Sequence, residues 1–354
     1  MKPSLLAALG AGLAVPTFGL LFRYRRDMNV ARARLAAVDR RVVSTEWGAV
    51  EYAERGDGDP VLVVHGILQN CVSGLLSVRD LFTDRRVITP SRFGYLGSSM
   101  PPNATPATQA DAFAALLDTL NIDQIDVIGV SAGATSALQL ALRHPRRVKH
   151  LAVLVGNLPG SPTAVVQPSW AKFQRQFVMW ALRTFAPATM VRMVAAVPKG
   201  FTMTSDDGRI VKEFIDSLFP MSAAGFIFDA FISNADVNDY NLEAISVPTL
   251  IAHTKDDQLA SHEASKRAAQ RIPGAKFVSL ESGGHLILGQ HKRGRDELAK
   301  FFAEMPDRSV ARVASRAHAP GGPHASYTLR NSHLLGVVLV SGAAVDEPMG
   351  RRSI

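Results

Sequence analysis

The chain has 354 residues, 47% of them apolar and 20% charged, so it is long enough to bury a substantial core and favours one large domain with appended ends. Its net charge of +8 comes from the ends, because residues 1–41 hold eight basic and two acidic side chains while residues 42–305 are nearly neutral. This distribution excludes a basic face for nucleic acid, and the single cysteine, Cys71, excludes an internal disulfide.

Residues 5–22 form an uncharged apolar run that is bracketed by Lys2 and Arg23. As a helix this run is about 27 Å long, close to the roughly 30 Å of a bilayer's hydrocarbon core. We therefore predict a membrane anchor, with the rest of the chain in the cytoplasm because the arginines after the run favour that side. The alternatives are a signal peptide cleaved near residues 12–14, followed by export, and peripheral or no membrane association. Residues 1–45 are assigned to this segment and a basic linker.

The segment from residue 46 to 156 alternates between strand-like and helix-like patterns. Residues 61–64 and 125–128 are continuous apolar runs, typical of strands that are buried on both faces of a parallel sheet. Between them, residues 107–120 carry apolar side chains at helical spacing. The alternation predicts an α/β fold with a parallel sheet that is covered by helices on both faces.

A Gly-x-Ser-x-Gly turn at residues 129–133 follows the 125–128 strand and precedes a predicted helix at 135–143. A bend from strand to helix places its serine in a strained backbone conformation, so small residues are needed two positions before and after it. The pattern alone also arises by chance, and its context has to support it. Ser131 is the candidate nucleophile.

Three further motifs accompany this turn: His65-Gly66, the loop at 90–98, and the sequence Ala-Leu-Arg-His-Pro at 141–145. Together with the turn they resemble the α/β-hydrolase superfamily over residues 45–304. The resemblance implies an α/β-hydrolase fold, in which a mostly parallel central sheet is flanked by helices and carries an inserted helical cap.

The resemblance divides the chain into a hydrolase core at 46–156 and 247–305 and a helical cap at 157–246. Within the cap, residues 170–197 and 210–232 are apolar stretches that predict helices. Six aromatic and methionine side chains of the first stretch either line an acyl pocket or simply pack: Phe173, Phe177, Met179, Trp180, Met190 and Met193.

A serine-based site needs a carboxylate that orients its histidine. Residues 248–253 predict a strand, and the resemblance selects Asp257 as the acid that follows it, with Asp256 as the alternative. His285 follows the glycine pair 283–284 at the end of the last predicted strand, where it can reach the serine turn. We therefore predict His285 as the general base, since histidine transfers protons near neutral pH.

An acyl-transfer site also needs two donors for the negative charge that develops on the substrate oxygen. The backbone amides of Ile67 and Ala132 are the natural pair, because one follows the 61–64 strand and the other follows the nucleophile. Residues 67–69 are Ile-Leu-Gln, where many relatives carry glycines. His65 is predicted to brace this loop rather than to act as a base.

These residues predict a serine hydrolase that cleaves the carboxylic ester of a small apolar or lipid-like substrate through an acyl-enzyme. The same groups also suit acyl transfer, carbon–carbon bond hydrolysis and cofactor-free perhydrolysis, and a non-catalytic binding protein on this fold is a further alternative. No cofactor is expected, and no metal, because His253, His262 and His291 lack the spacing of metal ligands. The sequence indicates no oligomeric state. Residues 308–331 lack periodicity, and the apolar run at 334–345 is too short to span a bilayer, so residues 306–354 are predicted to be a disordered tail.

Overall fold

The computed structural model describes residues 3–79, 82, 84–162 and 176–304, with side chains from residue 18 onward. The strands of this part are β1 (Arg40–Thr45), β2 (Gly48–Arg55), β3 (Asp59–Val64), β4 (Arg85–Pro90), β5 (Ile125–Val130), β6 (Val148–Leu154), β7 (Thr249–Thr254) and β8 (Lys276–Leu280). They form one sheet in the order β1-β2-β4-β3-β5-β6-β7-β8, in which β2 is antiparallel to both neighbours and β3 to β8 run parallel.

The α-helices of the described part are α1 (Pro3–Ala36), α2 (Cys71–Ser77), α3 (Pro106–Thr119), α4 (Ala134–Arg143), α5 (Gln176–Phe185), α6 (Pro187–Ala195), α7 (Ser205–Ser217), α8 (Ala223–Phe228), α9 (Asn234–Asp236), α10 (His262–Arg271) and α11 (His291–Ala303). Side chains of α3, α4 and α10 build the core on one face of the sheet, and those of α11 build the core on the other. The predicted α/β fold is confirmed.

The central strands are buried on both faces. In β3, Leu62 and Val64 enter one core while Val61 and Val63 enter the other, and all four are 0% exposed. This explains the continuous apolar run, because successive side chains of a strand point to opposite faces.

The parallel register brings several loops to one edge of the sheet. Val64 of β3 pairs with Gly129 of β5, and Thr254 of β7 pairs with Leu280 of β8. The loops that follow these four strands therefore leave the sheet at its carboxyl edge, where open α/β sheets bind their ligands.

Helices α5 to α9 form the cap, which is inserted between β6 and β7. Neither predicted cap helix is continuous. Residues 163–175, including Phe173, lie outside the described residues. The first predicted helix is interrupted at Pro187, where α6 begins, and the second at Pro220, which follows α7. Proline has no amide hydrogen to continue a helix, which explains both interruptions.

The second half of α1 packs against the cap. Met28 and Ala31 are buried in one cluster with cap side chains, including Trp180. Trp180 Nε1 donates to Asp27 Oδ2 at 3.0 Å, and Gln176 Nε2 donates to the hydroxyl of Tyr24 at 2.6 Å. Residues 24–31 therefore belong structurally to the cap.

Residues 40–45, which the sequence analysis placed in a basic linker, form the edge strand β1. The charge that suggested a linker is paired across the sheet. Arg40 Nη1 lies 2.6 Å from Glu51 Oε1, and Arg41 bonds to Glu54, both acids lying on β2. A half-exposed edge strand that begins with two adjacent arginines resembles a linker in composition, which is why the sequence did not predict it.

The membrane prediction finds no support in the described residues. None of the helices there has the length and apolar character required to cross a bilayer. The side chains of residues 5–17 and the tail at 306–354 lie outside the described part of the chain.

Candidate active site

Ser131 sits at the tight turn from β5 into α4. Its φ of +52° is unusual for a residue with a side chain, as a strained bend requires. A Cβ atom on Gly129 would lie 2.8 Å from Ala134 Cα, and one on Gly133 would lie 2.1 Å from the carbonyl oxygen of Val64. Glycine is therefore needed at both positions so that strand and helix can approach.

Three of the sequence-predicted side chains form a hydrogen-bonded chain at this turn. His285 Nε2 lies 2.8 Å from Ser131 Oγ, and His285 Nδ1 lies 2.8 Å from Asp257 Oδ2. Because an ionised carboxylate only accepts hydrogen bonds, Nδ1 carries the proton and Nε2 is free to accept one from the serine hydroxyl. This arrangement suits general-base activation of Ser131.

Asp256, the alternative acid, has a different task. Its Oδ2 and Oδ1 accept the backbone amides of Gly283 and Gly284 at 3.1 and 2.9 Å. These glycines have φ values of +121° and +57°, which residues with a side chain rarely adopt. Asp256 therefore holds the loop that presents His285, whereas Asp257 contacts the imidazole itself.

The side chain of Asp257 is fully buried and accepts several hydrogen bonds. The amides of Leu259 and Ala260 donate to Oδ1 at 2.8 and 3.1 Å. Burial alone would raise the pKa of Asp257, but the charge of His285 and hydrogen bonds from His253 and His285 outweigh it and lower that pKa below its ordinary value. Asp257 therefore stays ionised at neutral pH.

The loop that carries Ile67 is held by side chains rather than by glycines. The amide of Gly66 donates to Gln69 Oε1 at 2.6 Å, and the amide of Leu68 donates to the hydroxyl of Tyr95 at 3.0 Å. The loop lies against the nucleophile, since a Cβ atom on Gly66 would be 3.0 Å from Ser131 Cβ. Gln69 thus closes this loop through a side-chain hydrogen bond.

Ala132 lies directly after the nucleophile and is 2% exposed. The amide of Asn157 donates to the carbonyl oxygen of Ser131 at 2.9 Å, which fixes the peptide group that contains the Ala132 amide. The amides of Ile67 and Ala132 therefore belong to two braced segments on either side of Ser131. Their role as oxyanion donors remains a prediction.

His65 is fully buried and braces the chain on both sides of the sheet edge through its two ring nitrogens. Its Nε2 accepts the amide of Arg92 at 3.0 Å, and its Nδ1 lies 2.8 Å from the carbonyl oxygen of Gly66. Burial, followed by the charge of Arg92, lowers the pKa of His65 to about 3, so the ring is neutral. Both contacts agree with the predicted bracing role.

A family model described as the alpha/beta hydrolase fold matches residues 59–292. The chain belongs to this family. An uncharacterized hydrolase of Bacillus subtilis (strain 168), YcgS, is 29% identical over 278 residues, which cover 74% of this chain and 97% of that protein. The 2-hydroxymuconate semialdehyde hydrolase of Pseudomonas putida is 28% identical over 270 residues, which cover 72% of this chain and 90% of that protein.

Solved structures are similar over the same part of the α/β hydrolase. An alpha/beta hydrolase fold protein from Nakamurella multipartita has a TM-score of 0.62 at 26% identity, covering 74% of this chain and 98% of that one. A thermophilic esterase from Thermogutta terrifontis has a TM-score of 0.55 at 25% identity, covering 77% and 99%. These relationships identify the protein as an enzyme of the hydrolase class.

The α/β hydrolase carries a second histidine beside its carboxylate that the sequence analysis did not predict. His253 Nε2 lies 3.1 Å from Asp257 Oδ2, the oxygen that also binds His285, and its Nδ1 lies 2.6 Å from Ser265 Oγ. Burial lowers the pKa of His253 despite the neighbouring Asp257. The neutral ring therefore donates from Nε2 to the carboxylate and accepts the Ser265 hydroxyl at Nδ1. Its position near the end of β7, four residues before Asp257, is the signal that could have revealed it.

A cavity of about 610 Å³ contains Ser131 and His285 in its wall. The rest of the wall is largely aliphatic, aromatic and methionine side chains from α2, the cap and α11, among them Leu76, Met179, Met193, Ile210, Phe214 and Leu298. The described wall also contains Arg79 and Glu213, whose side chains form an ion pair at 2.9 Å. The α/β hydrolase therefore offers an acyl-sized apolar space beside the serine.

The two interpretations of the cap side chains both apply. Met179 and Met193 line the cavity, and Met179 also belongs to the buried cluster with α1. Trp180 and Met190 are fully buried in that cluster and do not line the cavity. Phe177 packs against the ring of Tyr24 with centroids 5.4 Å apart.

Among the described residues, no cluster of three or more His, Cys, Asp or Glu side chains has a geometry that could hold a metal ion.

Proposed function

We propose that this α/β hydrolase is a serine esterase that cleaves carboxylic esters with apolar acyl groups. The observation that carries the proposal is the chain of two 2.8 Å contacts from Ser131 through His285 to Asp257, in the wall of an apolar cavity. Similarity to a known esterase at 25% identity also supports it.

In the proposed reaction, His285 Nε2 takes the proton of Ser131 as Oγ attacks the ester carbonyl carbon. The oxygen of the tetrahedral intermediate faces the amides of Ile67 and Ala132. His285 then gives its proton to the departing alkoxide, which leaves as an alcohol and yields the acyl-enzyme. Water, deprotonated by His285, attacks the acyl carbon; the bond to Ser131 Oγ then breaks, His285 returns its proton to that oxygen, and the acid is released. Asp257 stabilises the imidazolium in both halves.

The cavity wall supports an apolar acyl group. The residues that line it include few polar side chains beyond those at the reaction centre, and the Arg79–Glu213 pair neutralises its own charge. Burial of acyl methylene groups contributes about 0.8 kcal/mol each, so affinity rises with chain length until the cavity is full.

A series of p-nitrophenyl esters from acetate to palmitate tests both parts of the proposal. We expect kcat/KM to rise from acetate to medium chain lengths and then to fall, and Ser131→Ala to abolish turnover at every length. Ile210→Trp, which enlarges a side chain that α7 contributes to the cavity wall, is expected to move the optimum to shorter chains. Absence of ester hydrolysis by folded protein contradicts the proposal and favours a non-catalytic binding role.

Carbon–carbon bond hydrolysis is a second candidate, because a relative with 28% identity carries the name of 2-hydroxymuconate semialdehyde hydrolase. The serine, histidine and oxyanion donors required there are the same. Assaying that compound beside the ester series separates the two: a higher kcat/KM on it than on the best ester replaces the esterase proposal. Adding alcohol or peroxide acceptors to the ester assay detects acyl transfer or perhydrolysis.

We also propose that residues 5–22 hold the enzyme at a membrane with its catalytic domain in the cytoplasm. The uncharged run supports this, as do Phe18 and Phe22 at its described end, which are 73% and 64% exposed. Cell fractionation of the full chain, fused at its C-terminus to a fluorescent protein or to alkaline phosphatase, tests the proposal. A fluorescent membrane fraction is expected. Phosphatase activity outside the cytoplasm contradicts it and favours export.

A further inference from the structure

A buried ion pair joins the cap to the loops around Ser131. Arg92 Nη1 lies 2.6 Å from Asp229 Oδ1, and both side chains are 0% exposed. Asp229 opens a π-helical turn, Asp229–Ser233, that directly follows α8 in the cap. Such turns interrupt regular helices and often occur at functional sites. Two chains of hydrogen bonds leave this pair and end on opposite sides of the nucleophile.

The first chain ends on the loop that carries Ile67. The hydroxyl of Tyr95 donates to Asp229 Oδ2 at 2.6 Å and accepts the amide of Leu68 at 3.0 Å. Leu68 has a φ of +66°, which is a strained backbone conformation. The side chain that accepts its amide, Tyr95, is only 1% exposed and is therefore fixed by its surroundings. The peptide group that is fixed in this way directly follows Ile67.

The second chain ends on Ala132. Arg92 Nη2 donates to Ser233 Oγ at 2.8 Å, and Ser233 Oγ lies 2.7 Å from Thr135 Oγ1. The hydroxyl of Thr135 donates to the carbonyl oxygen of Ala132 at 2.9 Å. Since the proton of Thr135 is used there, Ser233 donates to Thr135, and every step of the chain has a defined direction.

We propose that the Asp229–Ser233 turn positions the oxyanion hole, with Tyr95 as the main positioning residue. The turn grips both segments that supply the predicted donors, so it sets the separation between the amides of Ile67 and Ala132. Packing of the cap against the core and formation of the oxyanion hole are therefore coupled. This inference rests on the proposed function, because it assigns a task to the same two amides.

Tyr95→Phe keeps the ring and removes only the hydroxyl, which leaves the Leu68 amide without its acceptor. We expect kcat per titrated active site to fall ~10-fold or more with KM within about twofold, because a misplaced donor weakens the transition state more than the bound substrate. Affinity for an alkyl boronic acid, whose tetrahedral adduct on Ser131 places an oxygen in the same hole, is expected to fall by a similar factor. A merely structural role lowers the yield of folded enzyme and leaves both values unchanged.

Tyr240→Phe is the matched control, because Tyr240 is also a buried tyrosine near a cap carboxylate, Asp236, and packs in the main core. Its kcat is expected to stay within about twofold of the wild type. Equal losses in both variants, or no loss in Tyr95→Phe, overturn the proposal. If Tyr95→Phe does not fold, Ser233→Ala cuts the second chain and is expected to lower kcat and boronic acid affinity in the same direction.

Amide hydrogen exchange tests the network independently of any activity. We expect the Leu68 amide of the wild-type protein to exchange as slowly as amides of β3 and to become fast in Tyr95→Phe. Fast exchange in the wild type overturns the proposal even if ester hydrolysis is established. Loss of activity in Ser131→Ala tests only the proposed function, so the two failures are distinguishable.

Discussion

Asp256 and Asp257 are neighbours in the chain, yet their carboxylates bind different parts of the site: Asp256 holds the amides of Gly283 and Gly284, and Asp257 holds the imidazole of His285. This division predicts unequal effects of the same substitution. Asp257→Asn is expected to lower kcat by about 10⁴, because the amide no longer selects the required tautomer of His285. Asp256→Asn weakens only the loop and is expected to cost about tenfold or less. Ester kinetics on both purified variants decide this, and a greater loss in Asp256→Asn contradicts the assignment.

The depressed pKa of His65 predicts acid sensitivity. The unfolded chain binds a proton at this histidine below about pH 6.5, whereas the native protein does so only near pH 3, so the unfolded state binds more protons between these values. The contribution of His65 to the free energy of unfolding is therefore fully present above pH 6.5. It decreases by about 1.4 kcal/mol for each pH unit below that value. Urea unfolding at pH 7.5, 6 and 5 is expected to give a shallower pH dependence for His65→Asn than for the wild type. Parallel curves contradict the buried neutral state.

His253 predicts a second contribution to the carboxylate. His253→Phe removes a donor to Asp257 and leaves the Ser265 hydroxyl without its acceptor, so we expect a loss of about 2 kcal/mol in the free energy of unfolding and a kcat reduced by up to about tenfold. His262→Phe is the matched control, since His262 bonds to Ser279 at 2.9 Å and its ring neighbours His253. Thermal unfolding and ester kinetics on both variants test the prediction. Equal effects of the two substitutions indicate packing rather than support of Asp257.

The space around two glycines, Gly133 at the serine turn and Gly208 on α7, predicts opposite effects of substitution by alanine on stability. Gly133→Ala places a Cβ atom 2.1 Å from the carbonyl oxygen of Val64 and is expected to destabilise the fold by about 3 kcal/mol. Gly208→Ala, on α7, meets no atom within 4 Å and is expected to stabilise by up to about 1 kcal/mol through helix propensity. Calorimetric Tm values measure both. A wild-type Tm for Gly133→Ala contradicts the geometry of the turn.

The parts of the fold that sequence predicts well are those with a strong local pattern. The central strands are continuous apolar runs because both faces are covered, and the 129–133 turn needs small residues at fixed positions. β1 was missed because this exposed edge strand, which begins with two adjacent arginines, has no such pattern, and its arginines find acids on β2 only once the sheet forms. The cap helices were placed approximately, since their prolines set boundaries that apolar spacing does not show.

At the site, sequence order and motif indicated the serine, acid and base, but not what holds them. Tyr95 and Asp229 are 134 positions apart, and Gln69 acts through a local bond that its residue type does not reveal. His253 lies on a buried strand, where a histidine usually packs. These supporting contacts depend on tertiary packing, which one sequence without its fold does not specify.

Covalent labelling of Ser131 tests the central claim most directly. Intact protein is incubated with an alkyl fluorophosphonate, and the modified residue is located by mass spectrometry of its peptides. We expect one adduct per chain, on Ser131, with labelling slowed at least about 10³-fold in His285→Gln, which removes the base. Folded protein that stays unlabelled, or that is labelled at another residue, contradicts the claim that this serine is an activated nucleophile.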